Sequence, residues 1–215
     1  MLKIVVFISG RGSNLKAILS HIQDGSLKAE VCAVISDKPE AAGLELAKNA
    51  GVPAIVVPRL PKNRSLAEFN AELAATALNY SPDLVVLAGF MRVVTTEFLS
   101  AFPGRVVNIH PSLLPSFKGL HAQKQAVEAG VKFAGCTVHY VNEEVDSGGI
   151  IAQAVVPVLP NDSEDSLSQR ILEKEHKLFP AVLQAFASGQ ITIGDTGDIQ
   201  QETNSLVSLN LLVTA

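Results

Sequence analysis

Asn108 and His110 stand two residues apart in the run Val106-Val107-Asn108-Ile109-His110, which leads into Pro111-Ser112-Leu113-Leu114-Pro115. In an extended segment alternate side chains share a face, so the amide and the imidazole point to one side, about 6.5–7 Å apart along the strand. A carboxamide donates hydrogen bonds without ever titrating, and an imidazole serves as donor, acid or base near neutral pH. Side by side they suit an oxyanion that develops on a carbonyl under attack. The two prolines fix φ twice and remove two backbone donors, which stiffens the strand's exit. The same spacing also fits a strand-ending asparagine beside a core histidine, and the rest of the chain decides between the two.

Three other places bear on that decision. Asp146, in the acidic turn Asn142-Glu143-Glu144-Val145-Asp146-Ser147-Gly148-Gly149, is a candidate carboxylate partner for His110, although an Asx-turn residue in a flexible hairpin looks the same. Ser9-Gly10-Arg11-Gly12-Ser13-Asn14 is a Gly-rich turn feeding a helix, where unpaired N–H groups at the positive end of the dipole form a natural phosphate site. It is neither a P-loop, lacking Gly-Lys-Ser/Thr, nor a dinucleotide fingerprint, because Leu15 takes the third glycine position. A capped tight turn without a ligand is the plainer account. Finally, Glu175 falls inside the apolar stripe Leu167, Ile171, Leu178, Val182 of the last helix. A carboxylate on a buried face is costly unless it is paired or meets a ligand.

The elements that must position these groups alternate. Ile4–Ile8 reads as a strand, and Leu15, Ile18, Leu19 and Ile22 recur at helical spacing. Strands follow at 31–36, 54–57 and 84–88, with helices at 41–50 and around Leu66, Phe69, Leu73 and Ala77. The fifth strand is 106–110, followed by a short helix at 122–129. Two strands at 133–141 and 150–157 are joined by so short a connection that they are expected to be antiparallel at a sheet edge. Pro180 is expected to kink or restart the last helix. The fold class is therefore α/β, a mostly parallel twisted sheet of about seven strands flanked by helices, with a Rossmann-like N-terminal half. In such sheets ligands bind beyond the carboxyl ends of the strands, which gathers Gly10–Asn14, Gly89–Arg92 and the Asn108/His110 strand end on one edge. One domain is expected over 1–190. The tail 191–215 loses periodicity and stays unassigned.

Composition limits the partners. The 215 residues are 47% hydrophobic and 18% charged, with mean hydropathy +0.29, which suits a sheet buried on both faces. A net charge of −4 and a pI near 5.7 announce no nucleic-acid surface, so small molecules are the expected partners. The N-terminal apolar run is too short to span a membrane and reaches the Gly-rich loop without a cleavage site, so a cytoplasmic protein without membrane partners is expected. Cys32 and Cys136 lie in apolar runs and are read as reduced core thiols. His110, His121, His139 and His176 have no metal-ligand spacing, so no metal is expected. Ser112, only two residues after His110 and outside any GxSxG elbow, is a poor nucleophile candidate. Direct acyl transfer remains, with Asn108 as donor, His110 as acid or cationic donor and Asp146 as its acid/base partner.

Beside that reading, Ser9-Gly10-x-Gly12-Ser13-Asn14, Ala88-Gly89-Phe90-Met91-Arg92, Asn108-Ile109-His110-Pro111-Ser112-Leu113-Leu114-Pro115, Gly119-Leu120-His121, Val138-His139 and Asp146-Ser147-Gly148-Gly149-Ile150-Ile151 resemble the folate-dependent phosphoribosylglycinamide formyltransferases of purine biosynthesis. The motifs match in order from residue 3 to about 190. The resemblance implies a formyltransferase fold, 10-formyltetrahydrofolate as formyl donor, glycinamide ribonucleotide as acceptor, and Asn108, His110 and Asp146 as the catalytic set. It implies that Gly12, Ser13 and Asn14 hold the acceptor's phosphate and Glu175 its ribose. It places Arg64, Met91, Arg92, Val94 and Val141, with Asn108 and Asp146, around the folate. A monomer or weak homodimer is expected.

The nearest rivals share the Asn/His/Asp core. A methionyl-tRNA formyltransferase would carry a further C-terminal domain and a tRNA surface. A formyltetrahydrofolate hydrolase would carry a regulatory domain before the first strand, where this chain begins. A non-enzymatic nucleotide- or folate-binding module is opposed by the intact catalytic trio.

Overall fold

The computed structural model describes residues 1–59 and 64–192. The unassigned tail of 191–215, apart from Ile191 and Thr192, lies outside them.

Along the chain run β1 (Leu2–Ile8), α1 (Ser13–Gln23), β2 (Ala29–Ser36), α2 (Gly43–Asn49), β3 (Ala54–Val56), α3 (Leu66–Leu78), β4 (Leu84–Leu87), α4 (Thr96–Leu99), β5 (Val106–His110), α5 (Ala122–Glu128), β6 (Phe133–Tyr140), β7 (Ile150–Pro157) and α6 (Glu164–Ala187). Their seven strands form one sheet in the order β3-β2-β1-β4-β5-β6-β7. β1 to β5 pair in parallel, whereas β5–β6 and β6–β7 are antiparallel. The expected edge hairpin is present as β6–β7. The antiparallel β5–β6 junction makes β5 the seam between the two halves of the sheet.

β1 shows why the sheet is buried twice. Ile4, Val6 and Ile8 point into one apolar cluster with α1, α2 and α6, while Val5 and Phe7 point into another with α3 and α4. Continuous apolar strands of this kind need helices on both faces. Phe7 meets Phe90 and Phe98 edge-on, at centroid distances of 5.4 Å each, so the second cluster is anchored beneath the segment that follows β4.

Three expectations change. Cys32 is half-buried rather than core, because β3 pairs only with Val34–Ser36 and leaves the first half of β2 at the open edge. α6 does not restart at Pro180 but runs through it as one element of 24 residues. Leu178, Phe179, Val182 and Leu183, all fully buried around that proline, outweigh the missing backbone bond. The turn at 146–149 is tied down rather than flexible. Tyr140 donates its N–H to the Gly149 carbonyl at 2.9 Å, and a Cβ on Gly148 would stand 1.9 Å from the Tyr140 carbonyl oxygen, so only glycine permits this approach.

Candidate active site

β5 sets the floor of the site. Asn108 lies opposite Leu87 of β4 and opposite His139 of β6. That register puts the Asn108 Nδ2 3.1 Å from the His139 Nε2. The other ring nitrogen of His139 lies 2.7 Å from the Tyr140 carbonyl oxygen, which can only accept. His139 therefore donates from Nδ1 and accepts the Asn108 N–H at Nε2, the neutral tautomer that satisfies both contacts. Burial holds this imidazole below its usual pKa and favours the same neutral form. One Asn108 amide hydrogen is engaged in this way and the second is left over.

His110 is buried, with Nε2 2.9 Å from the Phe117 carbonyl oxygen and Nδ1 3.3 Å from Asp146 Oδ2. Both nitrogens face oxygen acceptors, so an imidazolium satisfies both at once. Asp146 Oδ2 also accepts the Gly119 N–H at 2.8 Å, and Oδ1 stands 3.7 Å from the His139 Nε2. Asp146 thus lies against two histidines, and its φ of 49° is one that aspartate and asparagine tolerate best among residues with a side chain. The loop after β5 is held by Thr137, whose hydroxyl donates to the Ser112 carbonyl at 2.7 Å and accepts the Leu114 N–H at 3.1 Å. Ser112 donates its own hydroxyl to the Ser116 carbonyl at 2.6 Å, so it is not poised beside a base.

Two cavities meet here. One, of about 500 Å³, is lined by Asn108, His110, Asp146, His139, Met91, Arg92, Val94 and Val141 among others. The second, of about 580 Å³, is lined by Ser9–Asn14 and by Glu175 and neighbouring residues of α6. Gly89, Met91, Ile109, Pro111 and Gln123 belong to both and form the wall between them. In the second cavity Gly12, with φ +72°, caps α1 and leaves its first N–H groups without a side-chain acceptor. Asn14 donates Nδ2 to Glu175 Oε2 at 2.7 Å, while its buried Oδ1 has no partner among the described residues. An orphaned acceptor of this sort suits a ligand that brings a donor.

Burial pushes the Glu175 carboxyl up to about 7, with the Asn14 hydrogen bond opposing the shift. An unfolded glutamate ionises near about 4.3. Between those values the native state binds more protons than the unfolded one, so this group makes the protein less stable as pH rises through that window. Glu175→Gln is expected to remove the slope and to stabilise the protein by up to about 3 kcal/mol at about pH 8 but hardly at all at pH 4. Thermal melts of the two proteins at both pH values test this.

The structure brings Gly12, Ser13, Asn14 and Glu175 to one cavity, and Asn108, His110, Asp146, Met91, Arg92, Val94 and Val141 to the other. Arg64 is not in either. It sits just before α3, stacked 5.4 Å from the Phe69 ring centroid and paired with Glu72, and these partners hold its guanidinium away from the cavity lining. Three residues were missed by sequence reasoning as members of the site. His139 stands in one of the resembling motifs, but its contact with Asn108 shows only in the cross-strand register. Gln123, on the shared wall, has no side-chain hydrogen bond among the described residues and carried no signal beyond its helix. Asp37, which grips Arg92 Nε at 2.6 Å, reads in sequence as an ordinary turn residue after a strand. Among the described residues no group of three or more His, Cys, Asp or Glu is gathered as a metal ion requires, and no helix is long and apolar enough to cross a membrane.

Residues 2–183 match the formyl transferase family. The phosphoribosylglycinamide formyltransferase of Escherichia coli is 44% identical over 190 residues, covering 88% of this chain and 89% of that protein. The human trifunctional purine biosynthetic protein adenosine-3 is 46% identical over 92% of this chain, but the chain spans only 19% of that relative's length. Among solved structures, glycinamide ribonucleotide transformylase 1 from Symbiobacterium toebii superposes with a TM-score of 0.87 at 49% identity, covering 91% of this chain and 92% of that one. The chain belongs to the formyl transferase family and, within it, to the phosphoribosylglycinamide formyltransferases.

Proposed function

We propose that this chain transfers the formyl group of 10-formyltetrahydrofolate to the amine of glycinamide ribonucleotide, a step of purine biosynthesis. The observation that carries the reading is the pair of cavities sharing one wall, with Asn108, His110 and Asp146 on one side and the α1 N-terminus, Asn14 and Glu175 on the other. A phosphorylated acceptor fits the second cavity, where free N–H groups meet its phosphate and the Asn14–Glu175 pair meets its hydroxyls. The formyl donor fits the first, against Met91, Arg92, Val94 and Val141. Arg64 is left out of that set because Glu72 and Phe69 hold it elsewhere.

The donor supplies an activated formyl carbon. The acceptor amine attacks it, a new C–N bond forms, and the bond to the folate nitrogen breaks. Asn108 gives its second amide hydrogen to the developing oxyanion, and His110, charged and held by Asp146, lowers the energy of the same negative charge. Asp146 takes a proton from the attacking amine, directly or through water, and returns one towards the leaving nitrogen. Neutral His139 keeps the Asn108 amide turned to donate. Residues 1–190 act as one formyltransferase domain, a monomer or weak homodimer in the cytoplasm, on small molecules and with neither nucleic-acid nor membrane partners. The acidic net charge and the two free cysteines support this.

The test is the purified protein with 10-formyltetrahydrofolate, with and without glycinamide ribonucleotide, followed by folate absorbance. Release only with the ribonucleotide is the expected result. Release without it indicates a hydrolase, and no release in either case refutes the proposal.

A further inference from the structure

Ser9 lines only the acceptor cavity and Arg92 only the donor cavity, and both are held by one side chain that lines neither. Asp37 follows β2 directly, and its carboxylate is fully buried. Its Oδ1 accepts the Ser9 hydroxyl at 2.6 Å and its Oδ2 accepts Arg92 Nε–H at 2.6 Å. With its proton turned to Asp37, the Ser9 oxygen accepts the Met91 N–H at 2.8 Å, and Ser9 gives its own N–H to the Gly89 carbonyl at 3.0 Å. The segment Gly89–Arg92, which carries part of the shared wall, is thereby fastened to the start of the phosphate loop.

We propose that Asp37 is a positioning residue that fixes Arg92 and Met91 for the formyl donor and ties the donor cavity to the loop that receives the acceptor. The inference rests on the formyl-transfer reading. A buried carboxylate is tolerated only where it is paired and hydrogen-bonded, and here both oxygens are satisfied by groups that belong to the two sites. Arg92 is gripped at Nε alone, and its two terminal nitrogens have no partner among the described residues. Its planar fork is therefore held in place while its outer donors stay free for an anionic or carbonyl group of the ligand. Among the described residues no other acid contacts Arg92.

Asp37→Asn is the informative change. The amide oxygen still accepts from Ser9, but the amide nitrogen then meets Arg92 Nε–H donor to donor and releases the guanidinium. The KM for 10-formyltetrahydrofolate is expected to rise about 10- to 100-fold, the range for losing a charge-assisted hydrogen bond. The KM for the ribonucleotide and kcat are expected to change by less than about threefold. On an Arg92→Ala background the same substitution is expected to add almost nothing, since the two act as a unit. An unchanged donor KM, an equal loss for both substrates, or additivity with Arg92→Ala overturns the proposal. If Asp37→Asn does not fold, Ser9→Ala serves in its place. Because Ser9 lines only the acceptor cavity, a rise of about three- to tenfold in the donor KM through Met91 is expected, and an unchanged donor KM overturns the proposal. Failure of the underlying reading is distinct from all of these, because the unmodified protein would then show no acceptor-dependent folate release.

Discussion

Asp146→Asn is expected to lower kcat by about 10²- to 10⁴-fold, the range for losing a group that moves a proton in the transition state. The substitution keeps the shape of the side chain and tolerates the left-handed backbone at this position. An amide oxygen can still accept the Gly119 N–H, so the turn is held. What goes is the negative charge 3.3 Å from His110 Nδ1, and with it both the support for an imidazolium and the acceptor for the amine's proton. Substrate affinities should stay within about threefold, because a loss confined to the transition state leaves ground-state binding alone. Steady-state kinetics over a range of pH provide the check. A variant that retains more than about a tenth of the original kcat would remove Asp146 from proton transfer.

Asn108→Ala is the second large effect, with kcat down by about 10²- to 10³-fold, the measured scale for one oxyanion donor in other acyl-transfer sites. This change also strips the buried His139 Nε2 of its donor, at a cost in stability of about 1–3 kcal/mol. Melting curves separate the two losses. Activity must be compared at a temperature where both proteins are folded, and a kcat within a few fold of the original under those conditions would rule out the donor role. Asn108→Asp is less informative, since it introduces a charge where negative charge develops.

Sequence reasoning located the alternating strands and helices because each carries a period that one or two turns suffice to show. It recovered β5 to the residue, since Val106–His110 is bounded by prolines on one side and by Gly104-Arg105 on the other. Glu175 stood out as a carboxylate in an apolar stripe, and the structure finds it buried beside Asn14. α4 was not foreseen, as four residues are too few to display a helical period. Asp37, His139 and Arg64 were illegible for a different reason. The roles of the first two depend on partners 55 and 31 residues away, and nothing along the chain specifies which long-range neighbour a lone polar side chain will meet. Arg64 matched a folate position by rough spacing alone, whereas its surroundings are set by α3 and by the Phe69 ring.

The position of β5 at the seam has a consequence for the timing of order. Its backbone is bonded to β4 on one side and to β6 on the other, and Asn108 is fixed further by an imidazole that belongs to β6. The conformational freedom of these two side chains is therefore lost once, when the sheet forms, and is offset by the burial of the whole core. Each arriving pair of substrates finds that cost already met, and only the ligands and the loops that touch them lose entropy in each cycle.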